Sequence, residues 1–211
     1  MDIQSRFITI EGGEGSGKTS AILEIKNFFE EKGYNVQISR EPGGLSHLES
    51  LREIMLNNDF NILSQMYLFG VTRLEHLNNK ILPFLNADEK NIVICDRFID
   101  SSLVYQGIVG NLGLSKVYDF NYEVINGFLP RYTFYLNVEP EVGLNRIFTN
   151  NEREKNIYDK KDLSYHQLIH KGYNSLLNST YDNGRFIEIN ANNNLDIVLS
   201  DIRNVLLKLD Y

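Results

Sequence analysis

The stretch that decides the fold reads Arg6-Phe-Ile-Thr-Ile-Glu11, followed directly by Gly12-Gly-Glu-Gly-Ser-Gly-Lys-Thr19. The first part is an apolar, β-branched run that predicts a strand, and the second matches the pattern G-x-x-x-x-G-K-[ST]. Glycines let such a loop curl so that its backbone N–H groups point at phosphates, while the lysine reaches the terminal pair and the hydroxyl can bind Mg²⁺. The sequence therefore predicts a nucleoside triphosphate site formed by Gly12, Gly13, Glu14, Gly15, Ser16, Gly17, Lys18 and Thr19.

Strands and helices are predicted to alternate along the rest of the chain. Apolar runs are followed by helix-length segments, which indicates a βαβα order and a buried parallel sheet. We expect strands at 7–10, 36–39, 92–95, 132–138 and 186–189, and helices at 19–32, 48–57, 64–79, 115–126, 140–149, 163–177 and 195–209. Ligands of such sheets bind at the carboxyl ends of the strands, so Glu11, Arg40 and Asp96 should lie close together.

The composition predicts one α/β domain that spans residues 1–211. With 42% hydrophobic and 23% charged residues, a chain of this length can bury a sufficient core without covalent crosslinks. The only cysteine, Cys95, lies in an apolar run and predicts a buried thiol. We find no signal-peptide pattern and no apolar run of membrane-spanning length, so we expect a cytoplasmic protein without a membrane partner. The net charge of −7 argues against nucleic acid as a partner.

The segment 150–162 lacks apolar periodicity and carries many charges. This composition is typical of a mobile surface segment. It is either an ordinary solvated loop or a lid that closes over a bound nucleotide and excludes water from phosphoryl transfer. We interpret it as a short mobile lid.

Two further motifs follow predicted strands. Residues 39–44 read Ser-Arg-Glu-Pro-Gly-Gly, which by itself is only a turn signal. Residues 92–97 read Ile-Val-Ile-Cys-Asp-Arg, an apolar strand that ends in a carboxylate suited to Mg²⁺, with an arginine placed to meet a phosphate. The stretch 98–107 then reads Phe-Ile-Asp-Ser-Ser-Leu-Val-Tyr-Gln-Gly.

With these motifs and the spacing Phe69-x-x-x-Arg73, the chain resembles the thymidylate kinases from the phosphate loop to its end. The resemblance implies a P-loop nucleoside monophosphate kinase-like α/β fold, in which helices surround a parallel five-stranded sheet. It also implies a homodimer that phosphorylates dTMP to dTDP with ATP and Mg²⁺, in the pathway to dTTP.

The resemblance assigns roles to individual residues. Lys18 and Thr19 would hold the ATP phosphates and Mg²⁺, and Asp96 would fix the metal or its water. Glu14 would face the 3′-hydroxyl of the substrate sugar. The residues expected to bind the 5′-phosphate are Arg40, Arg52 and Arg97, and those expected around the rest of the substrate are Glu41, Phe69, Arg73, Ser102, Tyr105 and Gln106.

The same assignment explains the choice of base. Phe69 would stack on thymine, and Arg73, one helical turn later, faces the same way. A guanidinium group carries only donors, so it can bond O4 of thymine but meets the amino group of cytosine donor to donor. Ser102 and Gln106 would complete the polar edge of the base, and Tyr105 would exclude a ribose 2′-hydroxyl.

The chemistry needs no general base, because the acceptor phosphate has a second pKa near 6 and is mostly dianionic at neutral pH. The problem to be solved is repulsion between two anions. Lys18, Arg97 and Mg²⁺ would offset that repulsion and spread the charge of the transition state during in-line transfer.

The chain departs from the family pattern at two positions. Phe98 stands where many relatives have tyrosine. Ile157 stands where bacterial relatives with an acidic phosphate loop place a catalytic lid arginine. Arg153 or Arg146 could replace that arginine from a shifted position, and we assign the catalytic role to Arg153. Its replacement by alanine is expected to lower kcat far more than it raises KM.

Other interpretations stay open at this point. The chain could phosphorylate another nucleoside monophosphate or a deoxynucleoside, it could sense nucleotides without catalysis, or it could be a DNA-associated ATPase. His166 and His170 have the i, i+4 spacing of zinc ligands, but no third ligand accompanies them. We expect them to be helix side chains at or near the surface.

Overall fold

The computed structural model describes residues 3–149, 157–158, 161–177 and 179–209. Most of the segment 150–162, including Arg153, lies outside these residues. None of the helices in the described part of the chain combines the length and the apolar character that a membrane crossing requires.

The centre of the fold is a parallel sheet of five strands in the order β2-β3-β1-β4-β5. The strands are β1 (Phe7–Glu11), β2 (Asn35–Arg40), β3 (Asn91–Asp96), β4 (Tyr132–Asn137) and β5 (Phe186–Asn190). In the register of the sheet, Asp96 pairs with Ile10 on one side and with Arg40 on the other. The carboxyl ends of β1, β2 and β3 therefore meet at one edge, and the fold class predicted from the sequence is confirmed.

Nine α-helices surround the sheet within the described residues. They are α1 (Lys18–Glu31), α2 (Ser46–Asn57), α3 (Ile62–His76), α4 (Leu82–Ala87), α5 (Ile99–Ser102), α6 (Leu114–Val124), α7 (Pro140–Thr149), α8 (Leu163–Leu176) and α9 (Leu195–Leu206). A π-helical turn, Leu77–Ile81, joins α3 to α4, and a second, Leu103–Val109, continues α5.

The inner strands β1, β3 and β4 are buried on both faces, which explains why they read as nearly continuous apolar runs, whereas the edge strands β2 and β5 are partly exposed. Ile8 and Ile10 of β1 pack in one cluster with Phe28 and Phe29 of α1 and with α9. Successive strand residues point to opposite faces, so Phe7 packs on the other face. That face contacts two more clusters, which contain side chains from α3, α4, α5, α6 and α8.

Two helical stretches were missed by the sequence pattern. The sequence predicts a helix that ends at Asn79, whereas the chain continues through the π-helical turn into α4. Pro83 is tolerated there because it lies at the start of α4, where its missing N–H breaks no helical hydrogen bond. The stretch 99–109 is helical although it contains two serines and several β-branched residues, since Ile99, Leu103 and Val104 are fully buried.

Candidate active site

The phosphate loop connects β1 to the first residue of α1, Lys18. Three of its glycines have a positive φ: 148° at Gly12, 72° at Gly15 and 92° at Gly17. At Gly15 a side chain is also excluded by space, because a Cβ there would lie 2.1 Å from the carbonyl oxygen of Gly143 in α7. The glycines therefore set the curl of the loop, as its sequence predicts, and Gly15 lets the loop lie against α7.

A cavity of ≈ 460 Å³ opens beside this loop. It brings together most of the residues that the sequence singles out. Its lining includes Glu14, Gly15, Ser16, Gly17, Lys18, Thr19, Arg40, Glu41, Arg52, Phe69, Arg73, Asp96, Arg97, Ser102, Tyr105 and Gln106. Gly12 and Gly13 are not among the lining residues, but their carbonyl oxygens accept hydrogen bonds of 3.1 and 3.2 Å from Lys18 Nζ.

The phosphate end of the cavity contains an excess of positive charge. Desolvation lowers the pKa of Lys18, and the nearby charge of Arg97 lowers it further. Burial and the charge of Arg40 likewise lower the pKa of Arg52. Cations whose pKa falls in this way favour a bound anion, because an anion would stabilise their charged forms. Arg40 also pairs with Glu49 at 2.7 Å, at the exposed rim.

Arg97 connects the two ends of the cavity. It has a left-handed backbone conformation, with φ of 68°, which is uncommon for a residue with a side chain. One guanidinium nitrogen donates to Glu14 of the phosphate loop at 2.8 Å. The other donates at 3.1 Å to Ser101 and at 3.1 Å to the hydroxyl of Tyr173, and the group lies over the ring of Tyr105.

Glu11, which the sequence marks only as a strand end, holds this arrangement in place. The carboxylate is fully buried and accepts hydrogen bonds from the backbone N–H groups of Phe98 and Ser101 at 2.8 and 3.2 Å. It also accepts from the Ser101 and Tyr173 hydroxyls, both at 2.7 Å. Burial raises the pKa of Glu11, and the charge of Asp100 adds to the increase. No local pattern predicts Tyr173, because it lies far along the chain in α8.

The opposite end of the cavity is aromatic and polar. Phe69 lines the cavity and is only partly buried, so it is available to stack on a flat ligand. Tyr105 packs edge-on against Tyr158, with ring centroids 5.7 Å apart. Gln106 is buried and lies 3.4 Å from the side chain of Gln65. Burial raises the pKa of Tyr105 well above its usual value, so its hydroxyl stays neutral.

Arg73 is almost fully buried beside Phe69, on the same side of α3. Its Nε donates to Glu41 at 2.7 Å and its Nη1 donates to Ser102 at 3.2 Å. Asn121 of α6 also accepts from Nη1. Sequence patterns give no sign of Asn121, because α6 comes close to α3 only in the folded chain.

The predicted metal residues meet at the edge of the phosphate loop. Thr19 and Asp96 both line the cavity. Asp96 Oδ1 is buried and has no hydrogen-bond partner among the described residues. A buried carboxylate oxygen without a donor is suited to a cation or to water bound to a cation. The described residues contain no group of three or more His, Cys, Asp or Glu side chains that could hold a metal without other ligands.

One of the two histidines of α8 differs from the sequence expectation. His166 is buried rather than at the surface, since it belongs to the face of α8 that packs inward with Ile169 and Tyr173. His170 is partly buried, and its Nε2 lies 2.7 Å from Asn137 Oδ1. Neither ring lines the cavity.

Arg146 lines the cavity but its guanidinium group is held by the loop that follows β5. It donates to the carbonyl oxygens of Ala191, Asn192 and Asn193 at 2.8, 3.4 and 3.1 Å. These bonds hold the guanidinium group of Arg146 in one position. Arg146 is therefore poorly suited to the catalytic role that the sequence analysis considers for an arginine in a lid. Ile157 and Tyr158 are described, and Tyr158 is a lining residue. Arg153 lies outside the described residues.

Comparison with known proteins agrees with the geometry. The family model described as thymidylate kinase matches residues 10–202. A thymidylate kinase of Clostridium novyi is 41% identical over 203 residues, with 95% of this chain and 97% of that protein covered. One from Staphylococcus epidermidis is 42% identical over 205 residues, with 97% and 98% covered. The crystal structure of thymidylate kinase from Ehrlichia chaffeensis aligns with a TM-score of 0.76 at 29% identity, covering 96% of this chain and 98% of that one. Because the family model spans most of the chain and the relatives are about two-fifths identical over nearly their full length, this chain belongs to the thymidylate kinase family.

Proposed function

We propose that this protein transfers the γ-phosphoryl group of ATP to the 5′-phosphate of dTMP and releases dTDP and ADP. One observation carries the proposal. A single cavity runs from the phosphate loop, past Arg97, to a pocket lined by Phe69, Arg73 and Gln106. A nucleotide whose phosphates lie on the loop and a second whose base lies beside Phe69 would therefore meet phosphate to phosphate, near Arg97.

The residues between the two nucleotides would offset their mutual repulsion. Lys18 and Arg97 both lie where negative charge must accumulate, and neither has to move a proton, because a phosphate dianion is already a competent nucleophile. Arg97 is held by Glu14, Ser101 and Tyr173, so little reorganisation is needed when the substrate arrives. Arg40 and Arg52 would bind the acceptor phosphate from the other side of the cavity.

We further propose Mg²⁺ as the cofactor, with Thr19 and Asp96 as the residues that hold it. The unpartnered Oδ1 of Asp96 supports this assignment. When bound, the ion would neutralise charge on the transferred phosphoryl group. The proposed catalytic residues are Lys18, Asp96, Arg97 and, in the lid over 150–162, Arg153, whose role rests on the sequence alone.

The base pocket supports dTMP over other acceptors. Phe69 offers an aromatic face, and Arg73 offers donors to a carbonyl oxygen such as O4 of thymine. Tyr105 lies next to Arg97 and would narrow the space beside the sugar of the acceptor. A nucleoside without a 5′-phosphate would leave Arg52 without a ligand.

We also propose a homodimer, a single domain over 1–211 and a cytoplasmic location. The surface of α3 supports the dimer, because Tyr67, Val71 and Leu74 form an exposed apolar stripe at helical spacing, with exposures of 54%, 55% and 42%. The buried free thiol of Cys95 is compatible with a reducing compartment.

The proposal is tested by offering the purified protein ATP and Mg²⁺ with dTMP, dUMP, dCMP, dGMP or thymidine, while ADP release is followed. We expect dTMP to give the highest kcat/KM. A Lys18→Ala variant is the matched control and should lose turnover with every acceptor. Strong binding of dTMP without turnover, or hydrolysis stimulated by DNA, would contradict the proposal. Binding alone can be checked by melting, since dTMP at ~100 times Kd should add about 2.7 kcal/mol to the free energy of unfolding.

A further inference from the structure

The guanidinium group of Arg73 is almost fully committed to partners within the protein. A guanidinium has five N–H donors. Nε donates to Glu41 at 2.7 Å, Nη1 donates to Ser102 at 3.2 Å and to Asn121, and Nη2 donates to the carbonyl oxygen of Phe98 at 3.1 Å. Among the residues that the structure describes, these bonds use four donors and leave one N–H on Nη2 for a ligand in the cavity.

Several of these partners are themselves held in position. Asn121 donates from its amide nitrogen to the carbonyl oxygen of Val117 at 2.7 Å, which turns its amide oxygen towards Arg73. The ring of Phe98 lies under the guanidinium, with its centroid 5.3 Å from Cζ of Arg73. The direction of the remaining N–H is therefore set by the protein before a substrate binds.

His76 holds Glu41, the partner of Arg73 Nε. It is one turn beyond Arg73 on α3 and has no exposed surface. Nδ1 lies 3.0 Å from Glu41 Oε1, and Nε2 lies 2.6 Å from Ser39 Oγ. An ionised carboxylate can only accept, so Nδ1 donates to Glu41, while Nε2 is bonded to the hydroxyl of Ser39. Both oxygens of Glu41 are thus engaged by α3, one by Arg73 and one by His76.

The backbone around β2 is shaped to receive this imidazole. Gly44 has φ of 88°, and a Cβ at this position would lie 2.6 Å from His76 Nε2. Lys80 in the turn after α3 donates to the carbonyl oxygen of Gly44 at 2.6 Å. The turn after β2 therefore packs directly on His76, and Glu41 cannot shift independently of the ring.

We infer that His76 is a positioning residue for base selection, which holds Glu41 and, through it, the remaining N–H on Nη2 of Arg73. The inference rests on the proposed function, because it takes a pyrimidine monophosphate as the ligand. A fixed donor bonds a carbonyl group at position 4 of the base, as in thymine, and opposes an amino group there, as in cytosine. A loosened guanidinium can turn away from the amino group and so accept both bases.

Two substitutions at His76 separate this role from a general structural one. His76→Leu removes both hydrogen bonds at similar volume, whereas His76→Gln keeps one donor and one acceptor. We expect the ratio of kcat/KM for dTMP over dCMP to fall about tenfold in His76→Leu, the effect of losing a hydrogen bond to a charged group. It should stay within about threefold in His76→Gln, and KM for ATP should stay within about twofold in both.

If His76→Leu does not fold, Ser39→Ala is measured in its place. This variant removes only the bond to Nε2 of His76, so it should lower the same ratio of kcat/KM values by a smaller factor. An unchanged ratio in the folded variants, or an equal loss for dTMP, dCMP and ATP, would overturn the inference. If the wild-type protein binds dTMP without turnover, the proposed function fails, and the ratio of Kd values for dTMP and dCMP, measured by calorimetry, decides the inference instead.

Discussion

Tyr173 shows how one distant side chain can support the chemistry of the site. Its hydroxyl donates to Glu11 and accepts from Arg97, while its ring stacks on Tyr135 with centroids 5.1 Å apart. Because Tyr173 belongs to α8, it ties the position of Arg97 to the helix that follows the segment 150–162. It does not line the cavity, so its effect on catalysis must pass through Arg97.

We expect Tyr173→Phe to lower kcat about tenfold, because Arg97 and Glu11 each lose a hydrogen bond that involves a charged group. KM for ATP should change little, since the phosphate loop is untouched. Steady-state kinetics with ATP and dTMP check this expectation. Tyr135→Phe is the matched control, because its hydroxyl bonds Asn137 and Asn174 away from the cavity. A similar loss of kcat in both variants would show that only packing is involved.

Residue types and spacing predict the lining of the site well, but not the partners that hold it. The phosphate loop, Arg97 and the pair Phe69 and Arg73 follow from short motifs, and all of them line the cavity except Gly12 and Gly13 of the loop. Glu41, which the sequence predicts to bind substrate, lines the cavity and has its two oxygens bonded to Arg73 and His76. That contact joins residues distant along the chain, so no local pattern could reveal it.

At the scale of secondary-structure elements, the phosphate loop lies in direct contact with α7. Ala at Gly15 would place its Cβ 2.1 Å from Gly143 O and would also require the left-handed φ of 72°. We expect Gly15→Ala to lower the free energy of unfolding by about 2–4 kcal/mol, from overpacking and backbone strain together. For a chain of this size that is a Tm lower by about 5–15 °C.

The measurement is thermal unfolding without nucleotide, so that ligand binding does not contribute. Gly13→Ala is the control in the same loop, because a Cβ at Gly13 would have no atom within 4 Å and φ there is not positive. Its Tm should stay close to that of the wild-type protein. Equal Tm values for the two variants would mean that the loop adjusts freely against α7.

The inner strands are predictable because burial on both faces gives them apolar runs, and every predicted strand end lies within one residue of the observed end. The helices that pack against the sheet are harder to predict from the sequence. The predicted end at Asn79 is wrong because burial of Leu77, Ile81 and Leu85 carries the helix on through a π-helical turn. The stretch 99–109 is helical for the same reason, since tertiary packing outweighs its weak helix propensity.

Formation of a homodimer is the prediction that concerns the whole molecule. The stripe of Tyr67, Val71 and Leu74 on α3 is apolar and exposed, and a charge at its centre would have to be buried in a dimer. We expect Val71→Glu to be monomeric at micromolar concentration when the wild-type protein is dimeric, as measured by light scattering after size exclusion. Leu207 lies outside this stripe and is 63% exposed, so Leu207→Glu is the control and should leave the measured mass unchanged. A monomeric wild-type protein would contradict the proposal.

The left-handed backbone of Arg97 is a strain that the side chain of the same residue offsets. Glycine adopts that conformation without strain, but glycine at position 97 would also remove the donor to Glu14, Ser101 and Tyr173 and the positive charge near the buried Glu11. An engineering programme that replaces every strained residue with glycine to raise heat resistance should therefore leave position 97 alone, because there the exchange would lose more than it gains.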